Sequence, residues 1–281
     1  MYESFYRLRE NPFGATPDPR FFYRSKAHRE ALAYLAYGVF RKRGFLAITG
    51  EVGVGKTTVI RAFIDIFDPS LDVAFVLNTK VAFEELLYLA LLDFGCELKS
   101  TSKVEMLTVL NDYLIERYAM NCNPLFIIDE AQNLSVEVLE ELRMLSNLET
   151  NQQKLIQIVF VGQPELELKL MRRELRQLKQ RIPGILRIHK LSREEIGRYI
   201  GFRLRIAGME GRPIYFSREA LEGIYEYSSG IPRLVNMACD RVLYRGYLEK
   251  QRIIELNIVD ACLQELDGDV DLDEREWGGL A

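Results

Sequence analysis

Between residues 44 and 191 the chain alternates short, unbroken apolar runs with longer stretches in which apolar residues recur every third or fourth position. The runs at 44–49, 73–78, 125–130, 155–161 and 185–191 have the length and bulk of strands buried on both faces. Helical spacing fills the gaps, at 59–64, 81–94, 103–118, 135–148 (with Ser135 as N-cap) and 166–180. One further helix, 26–40, precedes the first run, capped by Ser25 and carrying Ala31, Leu32, Leu35 and Val39 on one face. Five strands separated by helices predict an α/β fold, a five-stranded parallel sheet with helices on both faces. In such a sheet a ligand belongs at the carboxyl ends of the strands.

Punctuation in the sequence supports these limits. Pro12, Pro17 and Pro19 among Asn11, Gly14, Thr16 and Asp18 predict an extended or turning leading segment, and Asp68-Pro69-Ser70 predicts a turn. From Ser192 the pattern becomes helices only. A capping box, Ser192 to Glu195, opens one to about residue 207, a second runs 217–228, a third starts at Gly230-Ile231-Pro232-Arg233 and ends near 248, and a last spans 258–266. The expected domains are therefore 1–191, an α/β domain whose first 40 residues are the leading segment and helix; 192–266, a small all-α lid; and 267–281, an acidic disordered tail with Arg275 as its one cation.

Composition narrows the class. A hydrophobic fraction of 48% and a charged fraction of 28% over 281 residues are those of an ordinary globular protein. No apolar run approaches the ~20 residues of a membrane span, and Met1 to Arg7 lacks a signal-peptide pattern, so a cytoplasmic location is expected. Cys96, Cys122, Cys239 and Cys262 are scattered, form no C-x-x-C pair, and read as buried reduced thiols. With His28 and His189 the only histidines, a zinc site is not expected.

The chemistry concentrates in Gly50-Glu51-Val52-Gly53-Val54-Gly55-Lys56-Thr57-Thr58, which fits G-x-x-x-x-G-K-[ST] between a strand and a helix. Convergent backbone N–H groups bind a polyanion best, and Gly50, Gly53 and Gly55 give the backbone the freedom to approach one. The following helix directs its positive end at the phosphates, Lys56 reaches the β- and γ-phosphates of ATP, and the Thr57 hydroxyl is placed to ligate Mg2+.

The run at 125–130 ends in Asp129-Glu130. An aspartate leaving a buried strand beside a phosphate loop can hold the metal, and the adjacent glutamate can polarise a water for attack on the γ-phosphorus. The fourth run exits at Gly162-Gln163-Pro164, so Gln163 is expected to orient that water or sense the nucleotide, or else is simply a turn residue. Asn147 and Glu149 are weaker candidates for the same water. Pro12, Phe13 and His28 are candidates for the base pocket or for core packing.

Together the phosphate loop, the Asp-Glu strand end, the polar exit and a lid opening on Gly-x-Pro-Arg resemble an AAA+ ATPase over residues 1–266. More narrowly, Asn11-Pro12-Phe13, Gly50-Glu51-Val52-Gly53, Asp129-Glu130-Ala131-Gln132, Leu145-Ser146-Asn147-Leu148-Glu149 and Val161-Gly162-Gln163-Pro164 resemble bacterial secretion ATPases of the ExeA/GspA type, with pilus and exopolysaccharide relatives. The transposition ATPases of the TniB and TnsC kind are more distant. The resemblance implies that Gln163 is a first sensor, that Arg233 is a lid sensor touching phosphate, and that Arg181, or else Arg176, is an arginine finger reaching a neighbour's γ-phosphate. It also implies a nucleotide-dependent homo-oligomer, a ring by expectation, that assembles an envelope or export apparatus. Some secretion members continue into a membrane span and a peptidoglycan-binding region. This sequence ends after the acidic tail, so a link to the inner membrane is expected to run through a second protein.

A second reading is an ATP-dependent, DNA-binding regulator of transposition. Residues 165–212 hold thirteen Lys or Arg against six acids, enough for a phosphate-tracking stripe if they share a face. The net charge of −4 favours instead a solvated face at a subunit interface.

Overall fold

An apolar run can be buried on both faces only if its neighbours satisfy its backbone, and a parallel sheet does this. A computed structural model of the chain describes residues 1–14, 16, 18–67, 71–77, 79–150, 153–210 and 214–265. In chain order its regular elements are α1 (Tyr2–Tyr6), α2 (Lys26–Phe40), β1 (Phe45–Thr49), α3 (Lys56–Phe67), β2 (Leu71–Val76), α4 (Phe83–Asp93), α5 (Lys103–Ala119), β3 (Asn123–Ile128), α6 (Val136–Leu145), β4 (Gln157–Gly162), α7 (Pro164–Leu170), α8 (Arg176–Arg181), β5 (Ile185–Arg187), α9 (Arg193–Ile206), β6 (Tyr215–Phe216), α10 (Arg218–Ser228), α11 (Pro232–Leu248), β7 (Ile253–Ile254) and α12 (256–265). They form two compact units. One is Lys26–Val52 with Lys56–His189; the other groups Met1–Ser25 and the three loop residues Gly53–Gly55 with the chain from Lys190 onward.

The first unit holds the five-stranded sheet, ordered β2-β3-β4-β1-β5 and parallel throughout. Its side chains sort by the two-residue period of a strand. Phe45 and Ala47, Phe126 and Ile128, and Ile158 and Phe160 share one core with residues of α4 to α8, including Leu86, Leu114, Leu142 and Leu178. Leu46 and Ile48, of the opposite parity, are equally buried, and Leu46 packs so closely on α2 that a Cβ at Gly38 would come within 2.2 Å of its Cδ2. Phe45 and Phe160 stack with centroids 5.6 Å apart across paired strands.

Several element limits differ from the sequence expectation. β2 and β3 start two residues earlier than their apolar runs, because Leu71 pairs with Asn123 and Val76 with Ile128, which also leaves Leu77 exposed. The helix expected at 166–180 is three pieces: α7, a 3-10 turn at Arg173–Leu175, and α8. A straight helix would carry Leu170 and Leu175 to different faces; the tighter turn re-registers the stripe, and Leu166, Leu170, Leu175 and Leu178 are all fully buried. Ser135 caps α6 as predicted, its Oγ accepting from Val138 N–H. The turn at 68–70, the end of the second run at Asn78, Pro17, and the tail from Leu266 lie outside the described residues.

The second unit is mainly helical, with a correction to the helices-only pattern: β6 and β7 pair in parallel, Tyr215 with Ile253 and Phe216 with Ile254. Two-residue strands carry no readable periodicity. Glu195 closes the capping box of α9 by accepting from Ser192 N–H. The leading segment packs here, with Tyr2, Tyr6, Phe13 and Phe21 sharing a core with Tyr199, Leu204, Val235 and Leu243. Arg203 anchors it: Nε donates to Pro12 O at 2.5 Å, and the guanidinium lies 4.8 Å from the Phe21 ring centre, 5.8 Å from Tyr199 and 5.9 Å from Phe13. Phe13 is thus a core residue of this unit, and His28 is buried on α2 of the other.

No described helix is long and apolar enough to cross a membrane. The four cysteines are free, but only Cys239 and Cys262 are buried; Cys96 and Cys122 are half-buried, a correction to the expectation of buried thiols.

Truncating Phe160 to Ala should cost about 3–5 kcal/mol, the usual loss for a large buried aromatic. Denaturant unfolding would measure it, and a loss under about 1 kcal/mol would mean that this face of the sheet repacks around the gap.

Candidate active site

The three central strands β3, β4 and β1 end side by side, and each delivers one piece of the site. β1, wholly buried, runs directly into the glycine loop, and Gly50 N–H continues its ladder by donating to Gly162 O at 3.2 Å. Gly53 and Gly55 take φ of 81° and 95°, the left-handed region that side chains avoid. α3 then starts at Lys56. Lys56 is only 6% exposed, and its ammonium donates to Gly50 O at 2.8 Å and Glu51 O at 3.1 Å. Burial lowers the Lys56 pKa, against the pull of Glu130 and Asp129, so the charge is held in place by its acidic neighbours.

Thr57 Oγ1 donates to Asp129 Oδ2 at 2.6 Å. Asp129 is 2% exposed, and burial raises its pKa although the Thr57 hydroxyl and Glu130 N–H both stabilise the anion. Glu130 behaves oppositely. Burial pushes it upward, but hydrogen bonds from Gln132 and Gln163 and the charge of Lys56 outweigh that, leaving its pKa below the ordinary value. Gln132 Nε2 reaches Glu130 Oε2 at 2.6 Å and Gln163 Nε2 reaches the same oxygen at 3.1 Å. The Glu130 backbone is left-handed, with φ 51°, and its carbonyl accepts from Thr79 Oγ1 at 2.9 Å.

Lys56, Thr57, Asp129, Glu130 and Gln163 therefore converge. Gln132 and Thr79 complete the surroundings of Glu130. Gln132 was visible in the sequence as part of Asp129-Glu130-Ala131-Gln132, whereas nothing in the sequence marked Thr79. Nearby, Thr49 Oγ1 donates to Glu167 Oε1 at 2.5 Å and Arg187 pairs with the same carboxylate, which lowers its pKa. Among the described residues no three His, Cys, Asp or Glu cluster as a metal cage. Thr57 and Asp129 supply two hard oxygens, which suits Mg2+ completed by phosphate and water oxygens.

Other candidates fall elsewhere. Arg181 Nη1 donates to Arg143 O at 3.2 Å, Ser146 Oγ at 2.5 Å and Asn147 Oδ1 at 2.8 Å, at the end of α6. Asn147 is thereby engaged with Arg181, and Glu149 pairs with Lys154, so neither is seen at the Glu130 carboxylate. Arg176 is exposed at the start of α8. In the second unit Arg233 N–H donates to Gly53 O at 3.3 Å, and a Cβ on Gly53 would come within 2.7 Å of Arg233 Cβ. Gly230, φ 78°, sets this helix start; a Cβ there would lie 2.1 Å from Leu191 O.

The basic stretch 165–212 is divided between the two units. Lys169 Nζ sits on Gln132 O and Leu134 O, Arg187 on Glu167, Arg193 on Glu222, and Arg203 is buried among aromatic rings. Arg172, Arg173, Arg176 and Lys179 are exposed. Arg212 lies outside the described residues.

Residues 40–170 match the model of the AAA domain family. Over 278 residues the chain is 37% identical to general secretion pathway protein A of Aeromonas hydrophila, covering 99% of this chain and 50% of that protein. The chain belongs to the AAA family. This AAA protein spans about half the length of the curated relative that it matches. Among solved structures it is similar to the Aeropyrum pernix ORC2 protein in its ADPNP-ADP complexes, with a TM-score of 0.68 at 20% identity over 91% of this chain and 71% of that one. It is also similar to the Thermotoga maritima RuvB Holliday junction branch migration motor, with a TM-score of 0.57 at 17% identity over 86% and 69%. At these identities the likeness is one of fold: a five-stranded parallel sheet with flanking helices and a largely helical C-terminal region, as in other P-loop AAA proteins.

Because burial holds the Asp129 pKa above its unfolded value, its ionisation costs stability. That contribution is greatest when the carboxyl is protonated and is lost as pH rises through the raised pKa. Asp129→Asn should therefore raise the melting temperature of nucleotide-free protein at neutral pH. A thermal melt in EDTA tests the sign; a fall would mean that Lys56 and the two hydrogen bonds outweigh burial.

Proposed function

We propose that this AAA protein binds ATP with Mg2+ and hydrolyses it to ADP and phosphate. The observation that carries the reading is the 2.6 Å contact between Thr57 and Asp129, with Lys56 and Glu130 beside it, at the ends of adjacent buried strands. The residues Gly50 to Thr58 cradle the phosphates, Lys56 offsets charge on the β- and γ-oxygens, and Thr57 and Asp129 hold the metal. Mg2+ held there would supply positive charge against the charge that develops on the transferring phosphate. Glu130, ionised at neutral pH, takes a proton from water. The water oxygen bonds to the γ-phosphorus as the bond to the β,γ-bridging oxygen breaks and its electrons leave with ADP. Gln163 lies within reach of the same carboxylate and acts as first sensor, and Arg233, whose N–H donates to Gly53 O of the glycine loop, is the second sensor.

The biological role rests on the match to general secretion pathway protein A across nearly the whole chain. We infer a cytoplasmic ATPase that assembles as a nucleotide-dependent homo-oligomer, by expectation a ring. It works on an envelope or export-apparatus protein and meets the inner membrane through a partner. Arg181 is the finger reaching the neighbouring γ-phosphate: Nη1 is occupied by α6, while Nε and Nη2 have no partner among the described residues. Exposed Arg172, Arg173, Arg176 and Lys179 belong to the same subunit interface in this reading. The DNA-regulator reading is less favoured, because the cations it needs are divided between units and partly consumed by internal contacts.

Two substitutions separate binding from chemistry. Lys56→Ala should abolish saturable binding of a fluorescent ATP analogue, whereas Glu130→Gln should bind normally and lose about 10²–10⁴-fold in turnover, the range of a general base. Turnover persisting in Glu130→Gln would remove the base assignment. Turnover per subunit should also rise with protein concentration and lose that dependence in Arg181→Ala; concentration-independent turnover in the unaltered protein would exclude a finger in trans.

A further inference from the structure

The Glu130 carboxylate is held asymmetrically. Both side-chain amides that reach it, Gln132 Nε2 at 2.6 Å and Gln163 Nε2 at 3.1 Å, donate to Oε2, and Oε1 has no hydrogen-bond partner among the described residues. The charged groups around it are Lys56 from α3 and Asp129 from its own strand end, and neither makes a direct side-chain bond to it.

Gln132 is built into this arrangement from three sides. Its Oε1 accepts from the backbone N–H of Gln163 at 3.0 Å. A backbone N–H can only donate, so the amide has one permitted orientation, with its NH2 group toward Glu130. Its own carbonyl accepts from Lys169 Nζ, which also holds Leu134 O at 2.7 Å and so ties the 3-10 turn Ala131–Asn133 to α7. The space for the amide depends on Gly162, where a Cβ would stand 2.9 Å from Gln132 Oε1 and 3.0 Å from Leu166 Cδ2.

We propose that Gln132 is a positioning residue that couples the exit of β4 to the base: it holds Glu130 Oε2 so that Oε1 is the oxygen presented to the attacking water. The proposal rests on the ATPase reading above. Its content is that one amide makes the sensor strand and the glutamate move as a unit, since Gln132 touches the backbone of Gln163 with one end and the carboxylate with the other. Two donors on one oxygen leave the other lone pairs free, and a carboxylate held by one oxygen is pre-oriented for proton transfer through the second.

The test compares unaltered protein with Gln132→Met, which keeps length and packing but neither donates nor accepts strongly, and with Gln132→Glu, which keeps an acceptor for Gln163 N–H and sets a carboxylate against Glu130. Both should lose about 10- to 100-fold in kcat while binding the fluorescent ATP analogue within about twofold of normal. Gln163→Met and the Gln132→Met/Gln163→Met pair complete a double-mutant cycle, and the pair should lose less than the product of the single losses because both amides act on one oxygen. Should Gln132→Met melt early, Gly162→Ala displaces the same amide by contact and should give the same split between kcat and affinity.

A Gln132→Met protein with normal kcat would overturn the inference. So would a kcat loss matched by an equal loss of affinity, or losses that multiply in the pair. If the unaltered protein binds ATP but shows no turnover at any concentration, the ATPase reading itself fails, which is a different result from active protein indifferent to Gln132.

Discussion

A carboxylate at the end of a wholly buried strand is the constraint on which the rest of this structure depends. Asp129 leaves β3 with almost no exposure, and an acid in that position needs partners or it is expelled. The Thr57 hydroxyl and the Glu130 N–H supply them; the second is local to the turn after β3, whereas the first exists because the sheet brings the first turn of α3 beside that turn. Lys56 faces the converse problem, a buried cation whose charge is retained by the acids near it. The charges thus compensate one another at the carboxyl ends of the central strands, where a polyanion and a metal would add to both sides.

Adjacent acids are pushed apart by their surroundings. Asp129 is raised by burial and Glu130 is lowered by two amides and a cation, although only a peptide bond separates them. That separation is what the proposed ATPase chemistry needs, with Asp129 as the residue that would hold the metal and Glu130 as the ionised base. The left-handed backbone at Glu130 makes the difference possible, turning its side chain toward Gln163 while Asp129 faces Thr57.

The cations follow a similar economy of placement. In the sequence, residues 165–212 look like a single basic face. In the fold, Lys169 secures the turn that carries Gln132, Arg187 orders Glu167 beside Thr49, and Arg203 binds the leading segment to the helical unit. Each of these three cations is engaged by groups of its own unit.

The apolar runs and the glycine loop were enough to predict a parallel sheet with the glycine loop at its carboxyl end and Lys56, Thr57, Asp129 and Glu130 beside it. Local spacing encodes these features, because a strand, a positive-φ turn and a helix start are each settled within a few residues. Tertiary structure alone decided that the leading segment packs with the helical unit, that 166–180 breaks into pieces, that two-residue strands pair there, and that Thr79 and Gln132 surround the base. It also decided that Arg181 Nη1, Asn147 and Glu149 are engaged at the end of α6 and at Lys154. Those outcomes depend on which distant residues fill the space beside a given side chain, and no local period records that.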